Sequence, residues 1–373
     1  MKFRLCAAML LVACHGQRAE GELAEETAFD LTVSERGAVL GWVATGSKPA
    51  LHVLRFDVQG GAQGSNTYEL VGGSAGDLAL ADSAAGLSVV WRETASNAAA
   101  GNATASNATA SNAAVARGMW LDSAGDRRAL ELGAAWGEAR AGRGNLALVS
   151  RGAGALALVR GPRESCEDGS EEACFGFRFY ALSAGGAVET GLGLRVPVPC
   201  DARAAQLLSP LPPAEGLHYA VCTRADQAPV LTVFSIDPER SYASARQVFS
   251  GCTPLGASYF GGQPMIVAEC QGARQVARIT GADAPLELRP LDVQGLLCGP
   301  QGARVRIGSE WLALDQATEH LELILDSSLS PAGARAVWTG SVLLVAQVAA
   351  GKLALRRYQC AEGELRSIES PLG

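Results

Sequence analysis

Short apolar runs come in pairs along this chain, each pair split by a small polar turn that usually carries glycine. The pairs are FDLTVSERGAVLGWVA (29–44), GDLALADSAAGLSVVW (76–91), GNLALVSRGAGALALVRG (144–161), AQLLSPLPPAEGLHYAVC (205–222), LGASYFGGQPMIVAEC (255–270), ARVRIGSEWLALD (303–315) and ARAVWTGSVLLVAQV (334–348). Their period is two, not 3.6, and Gly, Pro, Asp and Ser bound them, so they predict strands and almost no amphipathic helix. Behind most pairs comes a third run rich in β-formers, such as LHVLRFDV, FGFRFYAL, VLTVFSID and KLALRRYQ. A fourth often follows: NTYELV, RRALEL, ARQVFS, LELRPL and ELRSIE.

Four antiparallel strands repeated about every 45 residues is the pattern of a β-propeller blade. The expectation is therefore all-β, with about seven four-stranded blades. Because the sixth unit is short, six blades stay open, and a pair of tandem β-sandwiches is the alternative architecture. Runs such as LSVVW, PMIVA and VLLVA are apolar at successive positions, as strands buried on both faces are. With 48% hydrophobic and 18% charged residues the chain can bury a sizeable core. The segment ETASNAAAGNATASNATASNAAVA (93–116) is different: small, polar and uncharged, it is read as a loop between strands of the second unit.

The N-terminus carries its own grammar. Lys2 and Arg4 precede an uncharged apolar run at 5–12, which is too short to span a bilayer. The next four-residue word, LVAC (Leu11, Val12, Ala13, Cys14), resembles the lipobox of bacterial lipoproteins. That resemblance implies cleavage after residue 13, acylation of Cys14 and anchoring through two or three chains, firm where a single chain is not. It divides the chain into a signal peptide (1–13), a lipidated tether (14–28) and the propeller domain (29–373). His15, in place of the Asp associated with inner-membrane retention, points to the outer membrane of the cell envelope.

Loss of Lys2 and Arg4 with the signal takes the formal charge from −7 to −9. An acidic chain without a basic cluster excludes nucleic acid as a partner. Beyond Cys6 and Cys14, eight cysteines remain, and an even number in an exported chain suggests disulfides. None has a CxxC spacing. Cys200 and Cys222, like Cys252 and Cys270, stand at the start of one strand and the end of the next, positions that an antiparallel hairpin brings together. Cys166 and Cys174 close the short insertion CEDGSEEAC, which leaves Cys298 with Cys360.

Sites of chemistry are sparse. GGSAG (72–76) matches a nucleophile elbow around Ser74, but a strand pair follows where the elbow needs a helix. GWVATGSK (41–48) has the wrong residue order for a phosphate loop. Glu167, Asp168, Glu171 and Glu172 share one loop that clustered oxygens could turn toward Ca²⁺, though a solvated acidic loop is the simpler reading. His218, within LHYAVC, is read as a hydrogen-bonded core histidine, with the central channel as its other destination. Trp42, Trp91, Trp311 and Trp338 recur at the second strand of several units and are read as core packing, not sugar platforms. No catalytic set, metal or cofactor is expected. The sequence favours a non-catalytic binding or assembly module with an envelope protein or glycan as partner. The alternative is a propeller-type enzyme acting on polysaccharide or another envelope substrate.

Overall fold

The computed structural model describes residues 28–44, 49–70, 75–93, 115–130, 146–165, 173–188, 194–198, 201–207, 218–224, 230–237, 242–248, 252–260, 263–279, 288–290, 303–307, 310–314, 321–325, 335–339, 342–349, 352–361 and 364–368. Every regular element among them is a strand. Sheet 1 holds β1 (Phe29–Ser34), β2 (Gly37–Ala44), β3 (Ala50–Phe56) and β4 (Ala62–Glu69). Sheet 2 holds β5 (Ala75–Asp82), β6 (Gly86–Glu93), β7 (Val115–Asp122) and β8 (Arg127–Leu130). Sheet 3 holds β9 (Leu146–Arg151), β10 (Gly154–Ser165), β11 (Ala173–Leu182) and β12 (Leu194–Val198). Sheet 4 holds β13 (Asp201–Leu207), β14 (His218–Arg224), β15 (Val230–Asp237) and β16 (Tyr242–Val248). Sheet 5 holds β17 (Cys252–Phe260), β18 (Gln263–Cys270), β19 (Ala273–Arg278) and β20 (Leu288–Pro290). Sheet 6 holds β21 (Ala303–Ile307), β22 (Glu310–Leu314) and β23 (Leu321–Leu325), and sheet 7 holds β24 (Arg335–Trp338), β25 (Val342–Ala349), β26 (Lys352–Ala361) and β27 (Glu364–Ile368).

Each sheet is an antiparallel meander in which spatial order follows chain order. The seven strand pairs anticipated above open the seven sheets. Sheet 6 has three strands among the described residues, which matches its short unit. The low-complexity segment is narrower than 93–116. Glu93 closes β6 and pairs with Val115 at the start of β7, because the hairpin ladder continues to the last residues able to reach a partner. Residues 94–114 lie outside the described residues.

Apolar residues pack on both faces of the early sheets. Along β2, Val39 and Val43 join a core with Leu80, Leu87, Val89 and Trp91 of sheet 2. The alternate residues Leu40 and Trp42 join a second core with Val342, Leu344 and Ala346 of sheet 7. Sheet 2 repeats the division: Leu78 and Leu80 face sheet 1, while Ala79 and Ala81 pack with Ala155, Ala157 and Tyr180 of sheet 3. Side chains along a strand alternate faces, so an unbroken apolar run is what a strand buried on both sides requires. Burying one leucine stabilises by roughly 1.5–3 kcal/mol. β2, buried along nearly its whole length, and the buried stretches 86–91 of β6 and 342–347 of β25 therefore carry much of the driving force for folding.

The turn between third and fourth strands recurs. In sheets 1, 2 and 3 it begins with Asp57, Asp122 or Ser183, whose side-chain oxygen accepts a backbone N–H four residues on. Three residues after each comes Gly60, Gly125 or Gly186, with φ of 74°, 88° and 78°. A left-handed residue is needed there to bring the chain back, and glycine takes it without steric penalty. This Asp/Ser-x-x-Gly turn is an internal repeat marker that the strand pattern alone did not reveal.

Cys252 and Cys270 stand directly opposite each other across β17 and β18, and their sulfurs are bonded. Cys166, Cys200 and Cys298 lie outside the described residues, as does Cys14. With a sequence separation of 18, the chain-entropy model gives this crosslink about 3 kcal/mol. Replacing both Cys252 and Cys270 by Ala is expected to lower unfolding stability by that amount. A denaturant titration would check it, with the slope rising because the uncrosslinked denatured chain exposes more surface.

Candidate functional site

The meander topology puts two kinds of turn at the same end of every sheet: those between first and second strands, and those between third and fourth. Polar side chains collect at this end because the apolar strands leave no room for them elsewhere. The centre of the cluster is Asp82, the last residue of β5 and 1% exposed. Its Oδ1 accepts from Nη2 of Arg36 and Nη1 of Arg55, both at 3.0 Å, and its Oδ2 accepts from Oγ of Ser34 at 2.7 Å. Arg36 also donates to the Ser83 carbonyl.

The network extends to sheet 3, where Ser150 donates to the Asp82 carbonyl and Ser83 donates to the Ala153 carbonyl, each at 2.7 Å. On the opposite flank of sheet 1, Thr339 donates to the Val58 carbonyl at 2.6 Å and Arg357 to the Gly60 carbonyl at 2.9 Å. One polar seam thus joins sheets 7, 1, 2 and 3. Both oxygens of Asp82 are engaged by protein donors, so this carboxylate has a structural occupation. Charge-assisted bonds of this kind contribute about 1.5–3 kcal/mol each when buried.

A second carboxylate links first strands. Asp30 of β1 accepts from the backbone N–H of Leu80 in β5 at 2.9 Å and lies 3.6 Å from Nε of Arg335 in β24. An edge strand has backbone donors with no ladder partner, and the Asp30 side chain satisfies one of them. Burial pushes the Asp30 carboxyl above the usual carboxylate range, and the Arg335 charge works against that rise.

His218, at the start of β14, is fully buried, and neither ring nitrogen has a hydrogen-bond partner. The expected core position is found, but the expected hydrogen bonds are not, so this is a core imidazole without ring-nitrogen partners. Burial lowers its pKa to about 4, the Arg151 charge adds to the drop and Asp237 opposes it. His52 lies across the sheet from Trp42 and stacks on it with ring centroids 5.0 Å apart. Its Nδ1 is 3.1 Å from Oγ1 of Thr67, and burial lowers its pKa.

Trp42 and Trp91 are buried in the cores between sheets, as packing residues are. Trp311 falls in a second strand, β22, but Trp338 ends a first strand, β24, because the seventh hairpin turns after it. Ser74 and the acidic residues Glu167, Asp168, Glu171 and Glu172 lie outside the described residues. Gly41 of the GWVATGSK stretch sits in mid-strand and pairs with Val53, which is no place for a phosphate loop. Among the described residues no group of three or more His, Cys, Asp or Glu is placed to hold a metal ion. Sequence reading missed the Asp82 and Asp30 networks. Their only signal was a charged residue inside otherwise apolar hairpins, at FDLTVS, SERG and ALADSAAG.

No family model matches the chain, and no curated protein matches it. Among solved structures it is similar to the apocarotenoid oxygenase of Synechocystis at 12% identity, over 71% of this chain and 60% of that one, with a TM-score of 0.39. It is also similar to the acylaminoacyl peptidase of Pyrococcus horikoshii at 9% identity, over 91% of this chain and 52% of that one, with a TM-score of 0.43. The chain thus spans about three fifths of the oxygenase. Likenesses this distant transfer no activity.

Two outcomes follow from these geometries. Asp82→Asn, which removes the charge from both arginine contacts and keeps the shape, is expected to cost about 2 kcal/mol in a denaturant titration. The His218 pKa is lowered in the folded state, so its neutral form supports folding fully above pH 6.5. That support drains as pH falls from 6.5 toward about 4, by about 3 kcal/mol in all. His218→Leu should flatten the stability–pH curve across this window; an unaltered curve would assign the acid sensitivity elsewhere.

Proposed function

We propose that this chain is a lipid-anchored cell-envelope protein whose seven sheets close into a β-propeller, and that it works as a binding or assembly module. The observation that carries the fold reading is the pair of cores flanking sheet 1. One packs it on sheet 2 and the other on sheet 7, so the first and last sheets of the chain are neighbours. Paired sandwiches leave one face of each sheet to solvent, whereas sheets 1 and 2 are covered on both. Asp30, Leu80 and Arg335 come from the first strands of sheets 1, 2 and 7, which is how innermost strands meet around an axis.

The binding reading is supported by the way the polar groups are used. Asp82, Asp57 and Asp122 are engaged by arginines or by their own turns, and they brace a stiff end surface on which loops are displayed. Rigid faces of this kind suit recognition of an envelope protein or a glycan, an analogy at the level of fold. The anchor is Cys14, within Leu11, Val12, Ala13 and Cys14, and His15 after it favours the outer membrane. The enzyme reading keeps one supporting observation, the Asp30 carboxyl whose affinity for protons is raised on a first strand.

Affinity capture of tagged full-length protein from native membranes, beside its Cys14→Ser form, tests the function. One recurrent envelope partner, lost with the anchor, is the expected result. A partnerless preparation from which Asp30→Asn removes a polysaccharide-cleaving activity would replace the binding reading with the enzyme. Small-angle scattering tests the ring: a closed domain of this size has a radius of gyration of about 20 Å. Tandem sandwiches would be longer.

A further inference from the structure

Two arginines share one carboxylate where sheets 1 and 2 meet. Arg36 and Arg55 both donate to Oδ1 of Asp82, so their guanidiniums stand side by side. Among the described residues neither has another carboxylate partner, and two cations on one anion leave one positive charge uncompensated. Arg36 bonds through Nη2 alone and Arg55 through Nη1 alone, so each fork keeps donors that no described residue takes up. The two side chains are 46% and 30% exposed, which puts those donors within reach of a ligand. Asp82 is buried and its other oxygen is taken by Ser34, so it orients the arginines from beneath.

The space beside Arg55 is open. Its partner across the ladder is the exposed Gly64, where a Cβ would meet nothing within 4 Å. Paired residues share a face, as do residues two apart on a strand, so Asn66 and Tyr68 of β4 continue the row from Gly64. Tyr68 reaches over to the β7–β8 turn, where its hydroxyl lies 3.6 Å from the place of a Cβ on Gly125. Burial raises the Tyr68 pKa, the Arg55 charge lowers it and Asp122 raises it. The phenol thus stays protonated, a hydrogen-bond donor on the same gap as the Arg55 guanidinium.

We propose that this gap between sheets 1 and 2 binds an acidic glycan, with a uronate carboxylate on Arg36 and Arg55 and sugar hydroxyls on Asn66 and Tyr68. It rests on the glycan arm of the binding reading above. The planar fork of arginine matches the two oxygens of a carboxylate. Asn66 and Tyr68 supply the neutral donors and acceptors that hydroxyls need. An acidic peptide brings the carboxylate without the ring hydroxyls, so the row along β4 favours the sugar. The chain carries −7 overall and repels acidic ligands at long range, so it needs a local positive site to hold one. Asp57 and Asp122, the carboxylates of the adjoining turns, are bonded within those turns.

Calorimetry on the full-length protein in mild detergent tests this, with a galacturonate oligomer as the probe. Binding that weakens with added salt is expected, and the same oligomer with its carboxyls reduced to alcohols should not bind. Arg55→Gln should weaken binding roughly tenfold. Because that change also touches the Asp82 network, Gly64→Glu is the second variant. The backbone of Gly64 lies outside the left-handed region, so a side chain is accepted there. The new carboxylate stands opposite Arg55 and should abolish binding at an unchanged melting temperature. No binding of galacturonate, equal binding of the reduced oligomer, or indifference to Gly64→Glu would overturn the proposal. So would an acidic peptide that displaces the glycan. An envelope partner still captured from membranes by Gly64→Glu, with galacturonate unbound by the parent protein, removes this site and leaves the binding module standing.

Discussion

Two-sided burial of the second strand is the constraint from which the rest follows. β2 and β6 have nearly every residue buried, with alternate side chains entering different cores. The interiors of such strands are mainly apolar, Ser88 of β6 being a buried exception, and neither face is left to water. Sheet 1 is covered by sheet 2 on one face and, on the other, by sheet 7 from the far end of the chain. Leu40 and Trp42 of β2 share one core with Val342 and Leu344 of β25, although some 300 residues separate the two strands. Contacts so distant in sequence carry a large loop-closure cost, which local meanders reduce by forming each sheet from consecutive strands first.

Exclusion of polar groups from the strands explains where the charges are. Side chains that must be ionic are pushed to the strand ends, and there they meet their counterparts from the next sheet. Asp82 shows the logic: buried, it would be costly alone, and it persists because Arg36, Arg55 and Ser34 satisfy its oxygens. Breaking one partner would leave the others desolvated, so the seam acts as a unit across sheets 1, 2 and 3. Thr339 and Arg357 extend the arrangement to sheet 7 through backbone carbonyls rather than carboxylates. Geometry at this end is thus held by bonds with direction, where the cores supply force without it.

Much of the architecture was legible in the sequence because apolar pairs with a glycine turn leave a period-two signature. The first two strands of each unit were readable for that reason. Most strands that escaped notice lack it: VARGMWLD of β7 and ARQVAR of β19 mix arginine with small residues, and LRVPV of β12 contains a proline, whereas LELIL of β23 was missed for its shortness. Their placement is fixed by pairing with β6, β18 and β11, a tertiary demand that overrides weak local preference. The ion-pair networks were illegible for a different cause. Arg36 and Asp82 are 46 positions apart, and nothing in either local stretch announces the other.

The outer strands carry the counterpart of this argument. The first and second strands of sheets 1 and 2 are specified by what they bury, whereas the fourth strands β4 and β8 bury little and are free to vary in composition. Outer-strand sequences are therefore shaped by what they must avoid, and arginine recurs from β8 to β27 as the cheapest residue that both solvates an edge and disfavours a second strand. Against that background a neutral fourth strand is informative. β4 pairs with β3 along its length, with one register shift at Gln63, and has no apolar payload of its own beyond Tyr68, which packs against the core shared with sheet 2. Its eight residues have work inside the molecule: Gln63 donates to Asp57 in the preceding turn, Thr67 is hydrogen-bonded to His52, and the Glu69 carbonyl accepts from Arg127 of sheet 2, ties that a three-residue strand like β20 is too short to make.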